Sequence, residues 1–351
     1  MFRFFSLGGV EAVLHNRKKA LKRQGVNVDI LFLTRRTKGL FDNDSNVFFI
    51  SNTRSIKVFL TQRHYELISI IDSPDFFAIL HAVAYDGIVI NECHTSQEEH
   101  LEYVQIISRL PVVKTIISPS TYWSEWIHRK YMCPIPIYTV PNGIDLQSFA
   151  HQQAQPKNFK LPNPLNKPIL CWIGRMDQIK NPWEFLKIVK EIKTTTSHFT
   201  AWMIDGGTYS PLMEEIRLGI IKSGLSNYVH IKTKVPYKFM PLVYSQVANS
   251  GGCLISTSRT ECYPMTFLEA MVSRCPIICS YLQETKEIVR NNISGLCYDL
   301  TNTTEAVLCI LKILNQTELR RAITNYAYEQ TSRLNDNNTI AGTLKAIYSK
   351  L

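Results

Sequence analysis

Short apolar, β-rich runs alternate with helical patterns along nearly the whole of this 351-residue chain, and that alternation constrains its fold more than any single motif. After a helical pattern at about 10–24 come VNVDILFL (26–33), YELISIID (65–72), GIVINEC (87–93), VKTIISPS (113–120) and IPIYTVP (135–141). A second series follows: PILCWIG (168–174), HFTAWMID (198–205), YVHIKTK (228–234), GGCLIST (251–257) and CPIICS (275–280), with helical patterns near 182–194, 211–223, 237–246 and 264–274. Strands apolar on both faces need cover on both faces, which predicts parallel sheets flanked by helices. The proline-rich, weakly apolar stretch 152–168 breaks the two series like a linker. The expectation is an α/β chain of two doubly wound domains with a cleft between them. Such sheets bind ligands beyond the carboxyl ends of their strands.

Length supports two domains, since one core rarely serves 351 residues. No apolar run approaches the ~20 residues of a membrane span, and the N-terminus carries no secretory pattern. Nine cysteines without a CxxC pair read as buried free thiols in a reducing compartment, so the expected location is cytoplasmic. The formal charge of +10 points to an acidic partner. Twelve Lys/Arg against four acids fall within residues 1–63, which suits nucleic acid, an anionic membrane surface or a phosphorylated substrate. No nucleic-acid module accompanies the charge, so nucleic acid is set aside. Part of the excess reads as a solvated helix face, with Arg17, Lys18, Lys22 and Arg23 opposite Val13, Leu14 and Leu21.

The segment SRTECYPMTFLEAMVSRCPIICS carries two spaced carboxylates, Glu261 and Glu269. Pro264 suits a first helical turn, which leaves Glu261 in the preceding loop and Glu269 on a polar stripe with Thr266 and Ser273. A span of roughly 8–12 Å at helical rise fits the two ends of one extended polar ligand and is too wide for a shared proton or metal. A surface helix with two solvated acids is the other reading. Three further clusters occupy strand-to-helix turns: Gly8 and Gly9 in SLGGVEAVL (6–14), Gly174, Arg175 and Lys180 in WIGRMDQIKNP (172–182), and the glycine pair of IDGGTYSPLMEEI (204–216). Main-chain N–H groups at helix starts, with an Arg fork and a Lys point charge, are the chemistry that holds a diphosphate.

With VPNGID (140–145), these segments resemble retaining GT-B glycosyltransferases of family 4, in order and over nearly the whole chain. The resemblance implies two Rossmann-like domains: residues 1–145 on the acceptor side, with a 335–351 helix packing back on them, and 146–334 holding the nucleotide-sugar donor. It implies that Arg175 and Lys180 hold the donor diphosphate and stabilise the leaving group. Glu269 would bind the ribose and Glu261 the donor sugar's hydroxyls. Main-chain N–H groups at Tyr263, Met265 and Thr266 would touch sugar or phosphate, Gly8 and Gly9 would face the diphosphate beside Gly174, and His94 would close over the sugar. Thr233 to Val235 falls where the family's base-contacting loop lies, without its usual glycine.

The implied reaction needs no metal or other cofactor, because cations and helix N-termini neutralise the departing diphosphate. The one Asp-x-Asp, at 42–44, falls in a polar loop away from the expected cleft. The expected partners are a UDP- or GDP-sugar, a glycan, lipid-linked or surface-polymer acceptor, and an anionic membrane touched peripherally at its cytosolic face. Three departures stand out: a first strand cut to FRFF (2–5), implying an N-terminal domain that lacks an edge or begins abnormally; Cys262 for glycine after Glu261, which would crowd the donor; and Asn181 where glycine is frequent after Lys180. The competing reading is a non-catalytic GT-B partner of an active transferase.

Overall fold

In the computed structural model the apolar runs become parallel strands, and each helical pattern becomes a crossover. Residues 1–5, 8–35, 40–41, 44–152, 166–206 and 210–351 are described. Most of the linker-like stretch, Asp42 and Asn43 of the Asp-x-Asp, Ser6 and Leu7 before Gly8, and Gly207 lie outside them.

Two compact units form, one from Met1–Gly143 with Asn337–Leu351 and the other from Ile144–Asp336. The N-terminal unit runs β1 (Phe2–Phe5), α1 (Gly9–Arg23), β2 (Ile30–Arg35), β3 (Val47–Phe49), α2 (Thr53–Thr61), β4 (Leu67–Ile71), α3 (Asp75–Ala82), β5 (Ile88–Glu92), α4 (Val104–Ile107), β6 (Val113–Ser118), α5 (Thr121–Tyr131) and β7 (Ile137–Thr139). The C-terminal unit runs β8 (Ile169–Gly174), α6 (Pro182–Thr195), β9 (Thr200–Asp205), α7 (Leu212–Lys222), β10 (Val229–Thr233), α8 (Met240–Asn249), β11 (Cys253–Ser256), α9 (Met265–Val272), β12 (Ile277–Ser280), β13 (Leu296–Tyr298), α10 (Thr303–Asn315) and α11 (Thr317–Leu334). A last helix, α12 (Asn337–Tyr348), belongs to the N-terminal unit.

Among the described residues the first sheet has the order β3-β2-β1-β4-β5-β6-β7, and the second β10-β9-β8-β11-β12-β13. All pairings are parallel, for example Ile169↔Thr200 through Gly174↔Asp205 between β8 and β9. Both are doubly wound sheets, with strand order reversing at β1/β4 and at β8/β11.

The short first strand does not leave the N-terminal sheet without an edge. β1 is flanked by β2 and β4, with Phe2 opposite both Phe32 and Ile71. Four residues suffice because Phe5 is fully buried among Phe32, Phe41 and Phe49, at ring separations of 5.3, 5.6 and 5.6 Å. The basic face of α1 also differs from the sequence reading. Arg17 is buried against Glu92, Lys18 pairs with Asp44 at 2.5 Å, and Lys22 and Arg23 remain exposed.

α12 packs on α1 through Ile340, Ala341 and Leu344 against Ala20 and Leu21. Gly143 makes the approach of that helix possible: a Cβ there would lie 2.7 Å from Oδ1 of Asn337. All nine cysteines are buried free thiols. Among the described residues no helix is long and apolar enough to cross a membrane.

Candidate functional site

The reversal of strand order at β8/β11 places two loops side by side, 174–181 leaving β8 and 257–264 leaving β11. Hydrogen bonds lock them together. The indole Nε1 of Trp172 donates to Oγ1 of Thr257 at 3.0 Å, and that hydroxyl reaches the carbonyls of Lys180 and Asn181 at 2.9 and 2.8 Å. The main-chain N–H of Arg259 donates to the carbonyl of Ile179 at 2.8 Å. Gly174 lies against the same indole, where a Cβ would come 3.2 Å from the ring.

This scaffold brings Lys180 and Glu261 together. The ammonium of Lys180 donates to Oε1 of Glu261 at 2.5 Å, and Oγ of Ser258 donates to the same oxygen at 2.6 Å. Glu261 is buried, and Lys180 is mostly so. Glu284 supports the turn from behind, its Oε1 accepting from Thr260 Oγ1 at 2.9 Å. Lys180 itself is positioned by its N–H, which donates to Oδ1 of Asp177 at 2.9 Å. Arg175 differs: its side chain is 51 % exposed and its Nε donates to Oδ2 of Asp177 at 2.7 Å. It is the more exposed of the two cations. Asn181 takes a φ of 50°, in the left-handed region that Asn tolerates better than most residues, and so serves where glycine is frequent.

α9 is not a surface helix. Glu269 and Ser273, on its polar stripe, are as buried as Leu268 and Met271. Pro264 stands one position outside the helix as its N-cap, so Met265 and Thr266 present main-chain N–H groups with no partner within the helix. Glu269 accepts from the hydroxyl of Tyr244 on α8 at 2.7 Å. Burial pushes its ionisation up to about 7, against the stabilising hydroxyls of Tyr244 and Tyr237. The Tyr263 side chain is buried, its hydroxyl accepting from Asn335 at 2.9 Å. Cys262 is buried too. Thr233, the last residue of β10, is exposed and Val235 buried, while Lys234 between them has a φ of 56° where the expected glycine is missing.

In the N-terminal unit the reversal lies between β1 and β4. Gly8 caps α1 in extended conformation and Gly9 begins the helix. His94 follows β5, its side chain only 3 % exposed and its Nε2 3.0 Å from Oε2 of Glu92. Glu92 also accepts from Nη1 of Arg17 at 2.8 and 2.6 Å and from Oγ of Ser69 at 2.5 Å. Burial would raise the Glu92 carboxyl, but Arg17 and His94 outweigh it and hold the group well below the usual carboxylate range. Asp72, at φ 41° after β4, accepts the His94 N–H at 3.0 Å, and burial raises its carboxyl to about 6. The imidazole is therefore a member of a buried ionic network rather than an open side chain. Sequence reading missed Glu92, Ser258, Tyr244 and Glu284. For the second, the hydroxyl-rich STSRT run after β11 was the one available signal.

Asp44 is committed to Lys18 and to the N–H of Asn46 at 3.1 Å.

Residues 153–330 match the family described as glycosyl transferases group 1, and residues 7–148 match glycosyltransferase family 4. A D-inositol 3-phosphate glycosyltransferase of a Nocardioides species is 23 % identical over 220 residues, covering 60 % of this chain and 48 % of the relative. A sucrose synthase of Melioribacter roseus is 24 % identical over 173 residues, covering 46 % of this chain and 22 % of the relative. The chain thus spans about half the length, or less, of these relatives. Among solved structures, Anabaena HepE in complex with UDP and glucose superposes with a TM-score of 0.79 at 14 % identity, over 100 % of this chain and 99 % of that one. Sucrose-phosphate synthase from Thermosynechococcus elongatus gives 0.81 at 14 % identity, over 99 % and 98 %. At such identity the likeness shows the fold alone, which is GT-B.

Proposed function

The chain belongs to glycosyl transferases group 1, and we propose on that premise that it moves a sugar from a nucleoside-diphosphate sugar to an acceptor hydroxyl with retention of anomeric configuration. The observation that carries this reading is the Lys180–Glu261 pair, held at the strand-order reversal of the C-terminal unit beside Arg175 and the start of α9.

In the reaction the bond between the anomeric carbon and the donor phosphate oxygen breaks, and its electron pair leaves with the diphosphate. The acceptor oxygen forms the new bond to carbon and gives up its proton. Negative charge grows on the leaving oxygen, so preorganised donors aimed there lower the barrier. We assign this role to Lys180 and Arg175, with the main-chain N–H groups of Met265 and Thr266 alongside. These cations supply the charge that a divalent metal would, and no cofactor enters the scheme. Glu261 accepts from the donor sugar and Glu269 from the ribose, with Gly174, Tyr263, Thr233 and Val235 around the nucleotide.

Acceptor recognition is assigned to the N-terminal unit, and Gly8 and Gly9, which open α1, are assigned a phosphate contact. His94 is assigned a part in orienting that unit's turn through Glu92, and ligand contact only through Nδ1. A glycan, lipid-linked or surface-polymer acceptor fits the basic stretch near the N-terminus. Lys19, Lys22, Arg23 and Arg54 are exposed there, which supports contact with a phosphorylated acceptor or an anionic leaflet.

HepE has been solved with UDP and with UDP-glucose, so UDP-sugars are the first donors to test. A panel of UDP- and GDP-sugars scored by thermal shift identifies the donor, since bound ligand raises stability with affinity. One nucleotide series should stabilise the protein and lose its effect in Arg175→Ala. Equal melting with every nucleotide would count against the reading.

A further inference from the structure

We propose that the C-terminal unit carries a second anion site, a receptor for a phosphate group, at the strand ends opposite the donor loops. A cavity of about 250 Å³ opens there, lined by Arg274, Arg320, Arg321, Thr317, Asn249 and His151 among others, and no Asp or Glu is part of its lining. Asn249 precedes β11, Arg274 precedes β12, and Thr317, Arg320 and Arg321 begin α11, so the cavity lies at the amino ends of β11 and β12, whereas Lys180 and Glu261 follow the carboxyl ends of β8 and β11. The two locations belong to opposite strand ends of one parallel sheet.

Two of the three arginines are fixed by contacts that leave their charge unneutralised. Arg320 donates from Nη1 to the carbonyl of Ile313 at 3.1 Å and lies 3.4 Å from that of Gly251. Arg274 stacks on Tyr328, with its guanidinium carbon 4.0 Å from the ring centroid, and donates to Asn325. Neither partner set includes a carboxylate. Arg321, exposed, is the third. Thr317 is the first residue of the 18-residue α11, whose preceding Gln316 caps no N–H with its side chain. The positive end of that helix and the Thr317 hydroxyl add to the field of the arginines. Glu318 in the same turn is the nearest acid in sequence, and it is not part of the cavity wall.

A tetrahedral dianion matches this set. Planar guanidinium forks bind phosphate oxygens bidentately, and prefixed side chains lose little entropy on binding. The ligand is a phosphate group, either soluble or borne as the monoester of a lipid headgroup.

The test is calorimetric titration of inorganic phosphate, at constant ionic strength, into the full chain and into Arg321→Ala, Arg321→Glu and Arg175→Ala. Arg321 is exposed and its side chain makes no hydrogen bond or ion pair among the described residues, so its variants should melt with the wild type. The expected result is at least about tenfold weaker phosphate binding in Arg321→Ala, none in Arg321→Glu, and unchanged binding in Arg175→Ala. Equal binding in wild type and Arg321→Glu, or loss confined to Arg175→Ala, would overturn the site. Sedimentation with vesicles of phosphatidylcholine containing phosphatidate identifies the source. Cosedimentation lost in Arg321→Glu and competed by phosphate means a lipid headgroup, and phosphate binding without cosedimentation means a soluble anion.

Discussion

The Lys180 ammonium lies 2.5 Å from Oε1 of Glu261, across 81 residues of sequence, and Ser258 donates to that same oxygen. The two groups assigned to diphosphate and sugar therefore hold each other in place before any donor binds. A carboxylate this buried needs its cation, and the cation gains a fixed direction from the carboxylate.

Replacing Lys180 with Ala should have two effects. Turnover should fall at least about 10²-fold if the ammonium stabilises the leaving diphosphate. Stability should fall by roughly 1–3 kcal/mol, because Glu261 is left buried without its partner. Denaturant titration and steady-state kinetics measure the two separately. The double variant Lys180→Ala/Glu261→Gln should regain most of the stability and none of the turnover.

Arg175→Ala should behave differently. Its guanidinium is 51 % exposed and its Asp177 partner is also partly exposed, so stability should stay within about 0.5 kcal/mol. Turnover should still fall by about 10²-fold or more. A variant with normal rates would remove Arg175 from the leaving-group role.

Glu269 predicts a pH signature. Its folded ionisation lies near 7, above the ordinary 4.5, so between those values the folded state holds a proton that the unfolded chain has released. Stability should therefore fall as pH rises from about 4.5 to 7 and then level off. Glu269→Gln, which mimics the protonated group, should flatten that slope in denaturation measured across the window. Nucleotide affinity should instead rise with pH through 7 in the wild type, because the carboxylate accepts a ribose hydroxyl better than the acid. Calorimetry on Glu269→Gln should show weaker, pH-independent binding.

In the N-terminal unit Arg17 has no other ion partner than Glu92 among the described residues, and its Nε and Nη2 make no hydrogen bond there. Glu92→Gln should cost about 3 kcal/mol or more by leaving that guanidinium buried and uncompensated. Arg17→Met/Glu92→Gln should be more stable than Glu92→Gln alone, as read by chemical denaturation.

The strand-and-helix alternation made both doubly wound units legible, because apolar runs such as PILCWIG become strands covered on both faces. β3 and β13 escaped notice, since three residues carry no period of their own, whereas the equally short β7 sits inside the longer apolar run IPIYTVP. Helical periodicity put Arg17 on a solvated stripe. What buries it is Glu92, 75 residues away, and a pairing at that distance leaves no mark in local sequence. The same holds for Lys180 and Glu261: each stood out in its own motif, but their contact across 81 residues was not legible. The polar stripe of Glu269 left a solvated surface helix open as a reading because amphipathicity marks one covered face, whereas α9 is buried on its polar side as well, with Tyr244 of α8 meeting Glu269.

The most direct measurement is release of nucleoside diphosphate from the stabilising nucleotide sugar by the purified protein, compared with Lys180→Ala. The account predicts slow donor hydrolysis without acceptor in the wild type and a loss of at least about 10²-fold in the variant. Donor binding without any release, equal in both proteins and with every acceptor class offered, would contradict it and leave a non-catalytic GT-B partner.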